Sequence, residues 1–64
     1  MNPRNIAIED LESSGYKFKR HGGNHDIYAN PKLGASIPLK RHDFDEDDLR
    51  YIRKEIKRNE KAGS

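Results

Sequence analysis

The 64 residues predict a two-layer α+β domain in the order helix, strand, strand, strand, helix. Three observations carry this. Apolar residues recur at helical spacing near both ends of the chain; the period changes to two from Tyr16 onward; and two turn signals, Gly22-Gly23 and Asn30-Pro31-Lys32-Leu33-Gly34, divide the middle into short strands. Consecutive strands joined by short turns pair antiparallel, and two apolar helical stripes need one face of that sheet to cover. Both helices are therefore expected on one face of a three-stranded antiparallel sheet, with the other face bare.

Asn2 is a good N-cap, Pro3 suits the first helical position, and Ala7, Ile8 and Leu11 follow at three- and four-residue spacing. Gly15 after Ser13-Ser14 supplies the stop, because glycine accepts the left-handed conformation that ends many helices. From Tyr16, alternation places Tyr16, Phe18 and Arg20 on one face of a strand and Lys17, Lys19 and His21 on the other. Gly22-Gly23 then reads as a tight hairpin turn, leading to a second strand from about Asn24 to Ala29. Ile27 and Tyr28 fall on opposite faces, and alternation alone does not say which faces the helices.

The third strand, Ala35 to Leu39, contains Pro38, which cannot donate to a ladder and so belongs at an edge. Asp45 caps the second helix, with Glu46, Asp47 and Asp48 in the first turn, where the helix dipole favours negative charge. Phe44 and Leu49 have the spacing of a hydrophobic staple; Leu49, Ile52 and Ile56 form the apolar stripe. Glu60 to Ser64 read as a frayed tail on a single domain spanning 1–64.

The chain is small for one domain and only 31% hydrophobic, with no Trp and no Cys. A fold of this size buries about 60% of the surface its unfolded chain exposes, so a partner that binds only the folded state would stabilise it usefully. No disulfide can help. No apolar run, Ile6-Ala7-Ile8 included, exceeds three residues, too short for a membrane span or a signal peptide, and a soluble, cytoplasmic chain is expected. The net charge of +2 is unevenly spread: the excess of bases lies between Tyr16 and Asp43, whereas acids and bases balance from Phe44 onward. A polyanion would bind the middle of the chain.

Among the three histidines, His25 stands apart because it follows the glycine turn and begins a strand. A turn of Gly22, Gly23 and Asn24 lets a nucleic-acid backbone approach closely, and an imidazole titrates near neutral pH. Lys17, Lys19, Arg20, Lys40 and Arg41 are the candidate phosphate contacts. A base plus cations is the minimum for cleaving RNA without a metal: something takes the 2′-hydroxyl proton and something stabilises the phosphorane. Against this stand three plainer readings: a surface histidine at a turn, ordinary solvated charge, and aromatic residues Tyr16, Phe18 and Tyr28 serving as core rather than stacking on bases. A metal site built from His21, His25, Asp26 and His42 competes too, although a turn interrupts the four-residue spacing of His21 and His25.

The run from Gly15 to Tyr28, GYKFKRHGGNHDIY, followed by Ile37-Pro38-Leu39-Lys40-Arg41-His42, resembles the HicA (YcfA-like) family of bacterial toxins, over most of the chain from the first helix to about Lys57. Gly23-Asn24-His25 leading to Tyr28 looks like that family's Gly-Ser-His motif before an aromatic residue, with Asn24 in place of the serine. Pro38 to His42 resembles its Pro-x-His segment with residues inserted. The resemblance implies a fold like a double-stranded-RNA-binding domain and a toxin-antitoxin role as an mRNA interferase that cuts independently of the ribosome; the chemistry expected of these residues is an endoribonuclease needing no metal or other cofactor. It implies His25 as the catalytic histidine, mRNA as substrate, and a HicB-like antitoxin that covers the active surface. No membrane partner follows from it, nor DNA binding except through the antitoxin complex. The alternative is a non-catalytic RNA-binding module of the same fold.

Overall fold

The computed structural model describes residues 1–62. The chain forms α1 (Pro3–Ser13), β1 (Lys17–Gly22), β2 (His25–Asn30), β3 (Ala35–Lys40) and α2 (Glu46–Ala62), and the strands make one antiparallel sheet in the order β1-β2-β3. This is the expected two-layer α+β arrangement. Asp26, Tyr28 and Asn30 of β2 are buried with Ile37 and Leu39 of β3, which identifies the face under the helices. Ala7 and Leu11 of α1 and Leu49, Ile52 and Ile56 of α2 complete the core.

Local chemistry accounts for the ends of α1. The Asn2 side chain accepts from the Asn5 N–H at 2.8 Å, satisfying one of the donors a helix start leaves open. At the other end Gly15 takes φ +92°, while the Tyr16 N–H donates to the Leu11 carbonyl and the Gly15 N–H to that of Glu12. That is a Schellman closure, and its usual hydrophobic contact is made by Leu11 and Tyr16, both fully buried. Tyr16 thus precedes β1 rather than opening it. Its hydroxyl accepts from Asn59 Nδ2 at 3.1 Å, so its polar end is satisfied and ties the helix end to α2.

Asn30 holds the second turn in place: its Oδ1 accepts from the Leu33 N–H at 3.2 Å and its Nδ2 donates to the Ser14 carbonyl at 3.1 Å. A Cβ on Gly15 would lie 3.1 Å from that same Nδ2, so space as well as backbone angle calls for glycine there. At α2, Asp45 and Asp48 cap reciprocally, each backbone N–H donating to the other's carboxylate at 3.0 and 3.1 Å. Accepting the Asp45 N–H, with Lys40 nearby, holds the Asp48 carboxyl below the usual range. Phe44 packs against the core ahead of this cap.

Three expectations need correction. The hairpin turn is Gly23-Asn24, not Gly22-Gly23: Gly22 is the last residue of β1 and pairs with His25, and only Gly23 takes positive φ, +48°. A positive φ at the first central residue alone is the sign pattern of a type II′ hairpin, one of the two that suit the twist of paired strands. Second, strict alternation fails along β1. The register shifts between Phe18 and Arg20, so a bulge at Lys19 puts Phe18 and His21 on the helix side and Arg20 on the other. Third, α2 runs to Ala62, so Glu60 to Ala62 are helical rather than frayed; Gly63 and Ser64 lie outside the described residues. Among the described residues no helix is long and apolar enough to cross a membrane.

Candidate functional site

The sheet face away from the helices has three cross-strand rows. Gly22, His25 and Lys40 form the first; Arg20, Ile27 and Pro38 the second; Lys17, Ala29 and Ser36 the third. No other described element lies on it. His25 is exposed there at the end of β2, immediately after the turn. It lines a cleft of about 360 Å³ with Asn24, Lys40, His42 and Asp43. On the side toward α2 it borders a second cleft walled by Pro38, Phe44 and Tyr51.

Gly22 has a role beyond the turn. A Cβ at this position would lie 3.1 Å from Arg20 Nη1 and 3.4 Å from Ile27 Cγ1, so the missing side chain leaves room for the guanidinium to cross the strand end. Arg20 is brought in this way to the row that holds His25. Asp43, with φ +56°, turns the chain after His42; its carbonyl accepts from Lys40 Nζ at 3.1 Å. Strained backbone of this kind at a non-glycine residue is concentrated at functional sites.

Behind the turn lies a charged hub. Asp26, buried on the helix side, accepts from Arg4 Nη2 at 2.8 Å and from His21 Nδ1 at 2.7 Å, and its Oδ1 is 3.8 Å from Arg41 Nε. The hydrogen bond from His21, reinforced by that from Arg4, holds the Asp26 carboxyl below the usual range against the opposing effect of burial. Arg4 Nε also donates to the Lys40 carbonyl at 3.0 Å. Arg41 reaches the turn itself, where Nη2 donates to the Gly23 carbonyl while its backbone N–H donates to the Asn24 carbonyl. One carboxylate thereby joins α1, β1 and the end of β3 to the loop that carries His25.

The five candidate phosphate contacts divide accordingly. Lys17, Lys19 and Arg20 are exposed and form no ion pair among the described residues. Lys40 is half-buried and engaged by the Asp43 carbonyl and, at 3.5 Å, by Asp48; Arg41 is spent on Asp26 and the turn. Of the turn residues, Gly23 and Asn24 form the loop and Gly22 closes the strand. The four residues weighed as metal ligands are split, since His21 and Asp26 face the helices and His25 the bare side. Among the described residues, no three His, Asp or Glu side chains gather as a metal ion would require.

The sequence reading passed over Arg4 and Tyr51. Arg4 is a lone cation in a helix whose other charges are acidic; Tyr51, 55% exposed, is an aromatic residue on the polar face of α2. Either irregularity was a visible signal. Of the aromatic residues weighed for stacking, Tyr16 and Tyr28 are core, and burial raises the Tyr28 phenol; Phe18 is 47% exposed. Compared with known proteins, the chain matches no family model, no curated protein and no solved structure.

Proposed function

We propose that this chain is an endoribonuclease of the HicA type, the mRNA-cleaving toxin of a toxin-antitoxin pair, acting in the cytoplasm. The observation that carries the reading is the placement of His25: an accessible imidazole on an uncovered sheet face, directly after the Gly23-Asn24 turn, opposite Lys40 and sharing a cleft with His42. His25 removes the proton from a ribose 2′-hydroxyl. The freed oxygen attacks the adjacent phosphorus, and the bond from phosphorus to the 5′-oxygen breaks, leaving a cyclic phosphate and a 5′-hydroxyl. Arg20, which crosses Gly22 to the His25 row, and the turn amides stabilise the charge on the phosphorane. His42, which lines the same cleft, gives a proton to the leaving oxygen.

In this reading a HicB-like antitoxin blocks the cell's exposure to the nuclease by covering the bare face. The partner would also add stability to a small core. The test is His25→Ala, a change at an exposed position that leaves the fold intact. Cleavage of a labelled RNA by the purified variant is expected to fall by about 10²- to 10⁴-fold, the range general acid-base catalysis supplies. A DNA oligonucleotide of the same sequence survives, and chelators leave the rate unchanged. Retarded but intact RNA with the unaltered protein would instead identify a binding module without catalysis. A folded His25→Ala protein cutting at the unaltered rate would end the assignment.

A further inference from the structure

Tyr51 is a large aromatic side chain, 55% exposed on α2, that takes no part in the core, contacts no other ring and makes no hydrogen bond among the described residues. A single exposed aromatic residue needs no explanation by itself. Its surroundings supply one. Asp48 and Tyr51 are three residues apart and share a face of α2. Lys40 Nζ reaches Asp48 at 3.5 Å, so that face is turned toward the end of β3. There Tyr51, Pro38 and Phe44 wall a cleft of about 180 Å³ whose rim includes His25 and Lys40. Pockets for drug-sized molecules run to about 300–1,000 Å³, so this one suits a single flat ring system. The cleft that holds His42 shares His25 and Lys40 with it, and the imidazole of His25 therefore stands between the two.

We infer that Tyr51 stacks on the nucleobase immediately 5′ of the scissile phosphate, which makes this cleft the seat of the nucleotide whose 2′-hydroxyl attacks. The inference rests on the nuclease reading above and adds to it which way the strand lies. In an in-line displacement the attacking and leaving oxygens stand on opposite sides of phosphorus. His25 serves the attacking oxygen and His42 the leaving one. The nucleoside that leaves therefore lies in the cleft holding His42, and the nucleoside that attacks lies in the other. Of the two six-membered rings at these clefts, Phe44 is packed against the core and Tyr51 is exposed. The acid in the cleft, Asp48, already accepts from Lys40 and from the Asp45 N–H, so it repels a nucleotide less than a free carboxylate would. Stacking on an aromatic face tolerates any base, so Tyr51 contributes affinity and position rather than sequence preference. Duplex RNA does not fit, since its bases are already stacked and paired.

Binding and cleavage are measured separately. The binding probe is a short single-stranded 2′-fluoro oligonucleotide, which lacks the 2′-hydroxyl and stays intact, carrying one abasic position moved stepwise along the strand. Affinity is read by fluorescence anisotropy, and urea unfolding confirms that each variant is folded. Tyr51→Ala is expected to weaken binding of the complete oligonucleotide about tenfold, the order a single base stack contributes, whereas Tyr51→Phe, which keeps the ring, stays within about twofold. Tyr51→Leu, apolar but without a π face, should behave as alanine does. In the unaltered protein one abasic position causes the same loss, and in Tyr51→Ala that position causes none. A merely structural role for Tyr51 would not produce this coupling. With cleavable RNA of the same sequence, the base so identified is expected immediately 5′ of the cut.

Failure of this inference and failure of the nuclease reading are separable. If the protein cuts RNA but neither Tyr51→Ala nor the abasic scan changes affinity, the stack is refuted, the nuclease reading stands, and the ring belongs to a contact with a protein partner. Coupling of Tyr51 to the base 3′ of the cut would overturn the strand direction inferred here while RNA cleavage persists. If the oligonucleotide binds with the expected coupling yet RNA is never cut, the stack on Tyr51 stands and catalysis does not. No binding and no cutting would remove both.

Discussion

β1 and β3 are both edge strands of the same sheet, but they are used in opposite ways. β3 is packed under α2, burying Ile37 and Leu39 almost completely, and guards its open side with Pro38. β1 buries no side chain, and Phe18, which points to the helix side, remains about half exposed because α2 lies over β3 instead. The cations follow the same division: Lys40 and Arg41 at the β3 end are tied to Asp48, Asp43, Asp26 and the turn, whereas Lys17, Lys19 and Arg20 are unpaired. An edge carrying lysines and a bulge resists pairing with another chain. On β1 that protection is provided by the same residues that are proposed to contact phosphate.

If β3 carries stability and β1 function, substitutions on the two strands should separate. The largest effect is expected for Ile37→Ala. Deleting a fully buried Ile costs about 2–5 kcal/mol, comparable to the whole of about 3–5 kcal/mol that a core this small supplies, so much of the protein should unfold at room temperature. Phe18→Ala on β1 removes a half-exposed ring whose partners are Tyr28, edge-on at 6.0 Å, and His21 at 4.9 Å. Its cost is about 1 kcal/mol. Urea titrations of the two variants decide the matter, and equal losses would break the contrast.

Asp26 spans the two edges, being bonded to His21 on β1 and close to Arg41 after β3. Its carboxyl titrates lower in the folded protein than in the unfolded chain, so the stability it contributes is complete above its ordinary value of 3.8 and disappears as pH falls below that. Asp26→Asn is therefore expected to lower the melting temperature at pH 7 and to flatten the fall in melting temperature as the pH drops below the ordinary carboxylate value of 3.8. Scanning calorimetry across that range checks both. Arg4→Ala should weaken the same hub from the α1 side, because the Asp26 hydrogen bond and the contact with the Lys40 carbonyl both end there.

The contrast also explains what was legible in the sequence. Elements whose local chemistry agrees with their tertiary role were readable: Asn2-Pro3 and Gly15 around α1, Asp45 with Phe44 and Leu49 at α2, and Pro38 at an edge. β1 was misread because alternation was applied through Lys19, and nothing in Lys17-Phe18-Lys19-Arg20 marks which residue bulges. The turn shifted by one residue for a related reason. Two adjacent glycines can both enter a hairpin loop, and only the pairing of Gly22 with His25, with Arg20 across it, selects Gly23-Asn24. His25 was placed from its neighbours alone, whereas Arg4–Asp26 joins residues 22 apart in sequence and exists only once the helix has docked.

A smaller effect is expected at the turn. Gly23 adopts φ +48°, and a Cβ there would meet nothing within 4 Å, so Gly23→Ala suffers only the backbone penalty of about 1–2 kcal/mol. The melting temperature falls modestly, and activity falls further than stability, because the loop sets where His25 stands. Gly23→Asn, a residue that accepts this conformation more readily, should recover most of both. A Gly23→Ala protein with full activity would mean that the turn supports the strands without positioning the imidazole.

The smallest effect on stability, and the sharpest separation, is expected for Lys17→Ala. The side chain is exposed, without an ion pair, and at the start of a strand that adds nothing to the core, so its removal should change unfolding free energy by less than about 0.5 kcal/mol. Arg41→Ala is the matched change at the other edge. It deletes the donor to the Gly23 carbonyl and leaves Asp26 with one cation fewer, so its first consequence is a lower melting temperature. Measured together, Lys17→Ala should weaken RNA binding in a salt-dependent way at unchanged stability, and Arg41→Ala should lower stability with a salt slope like that of the unaltered protein. If the two variants behaved alike, the cations would form one continuous phosphate-binding band, and the division between a structural and a functional edge would be wrong.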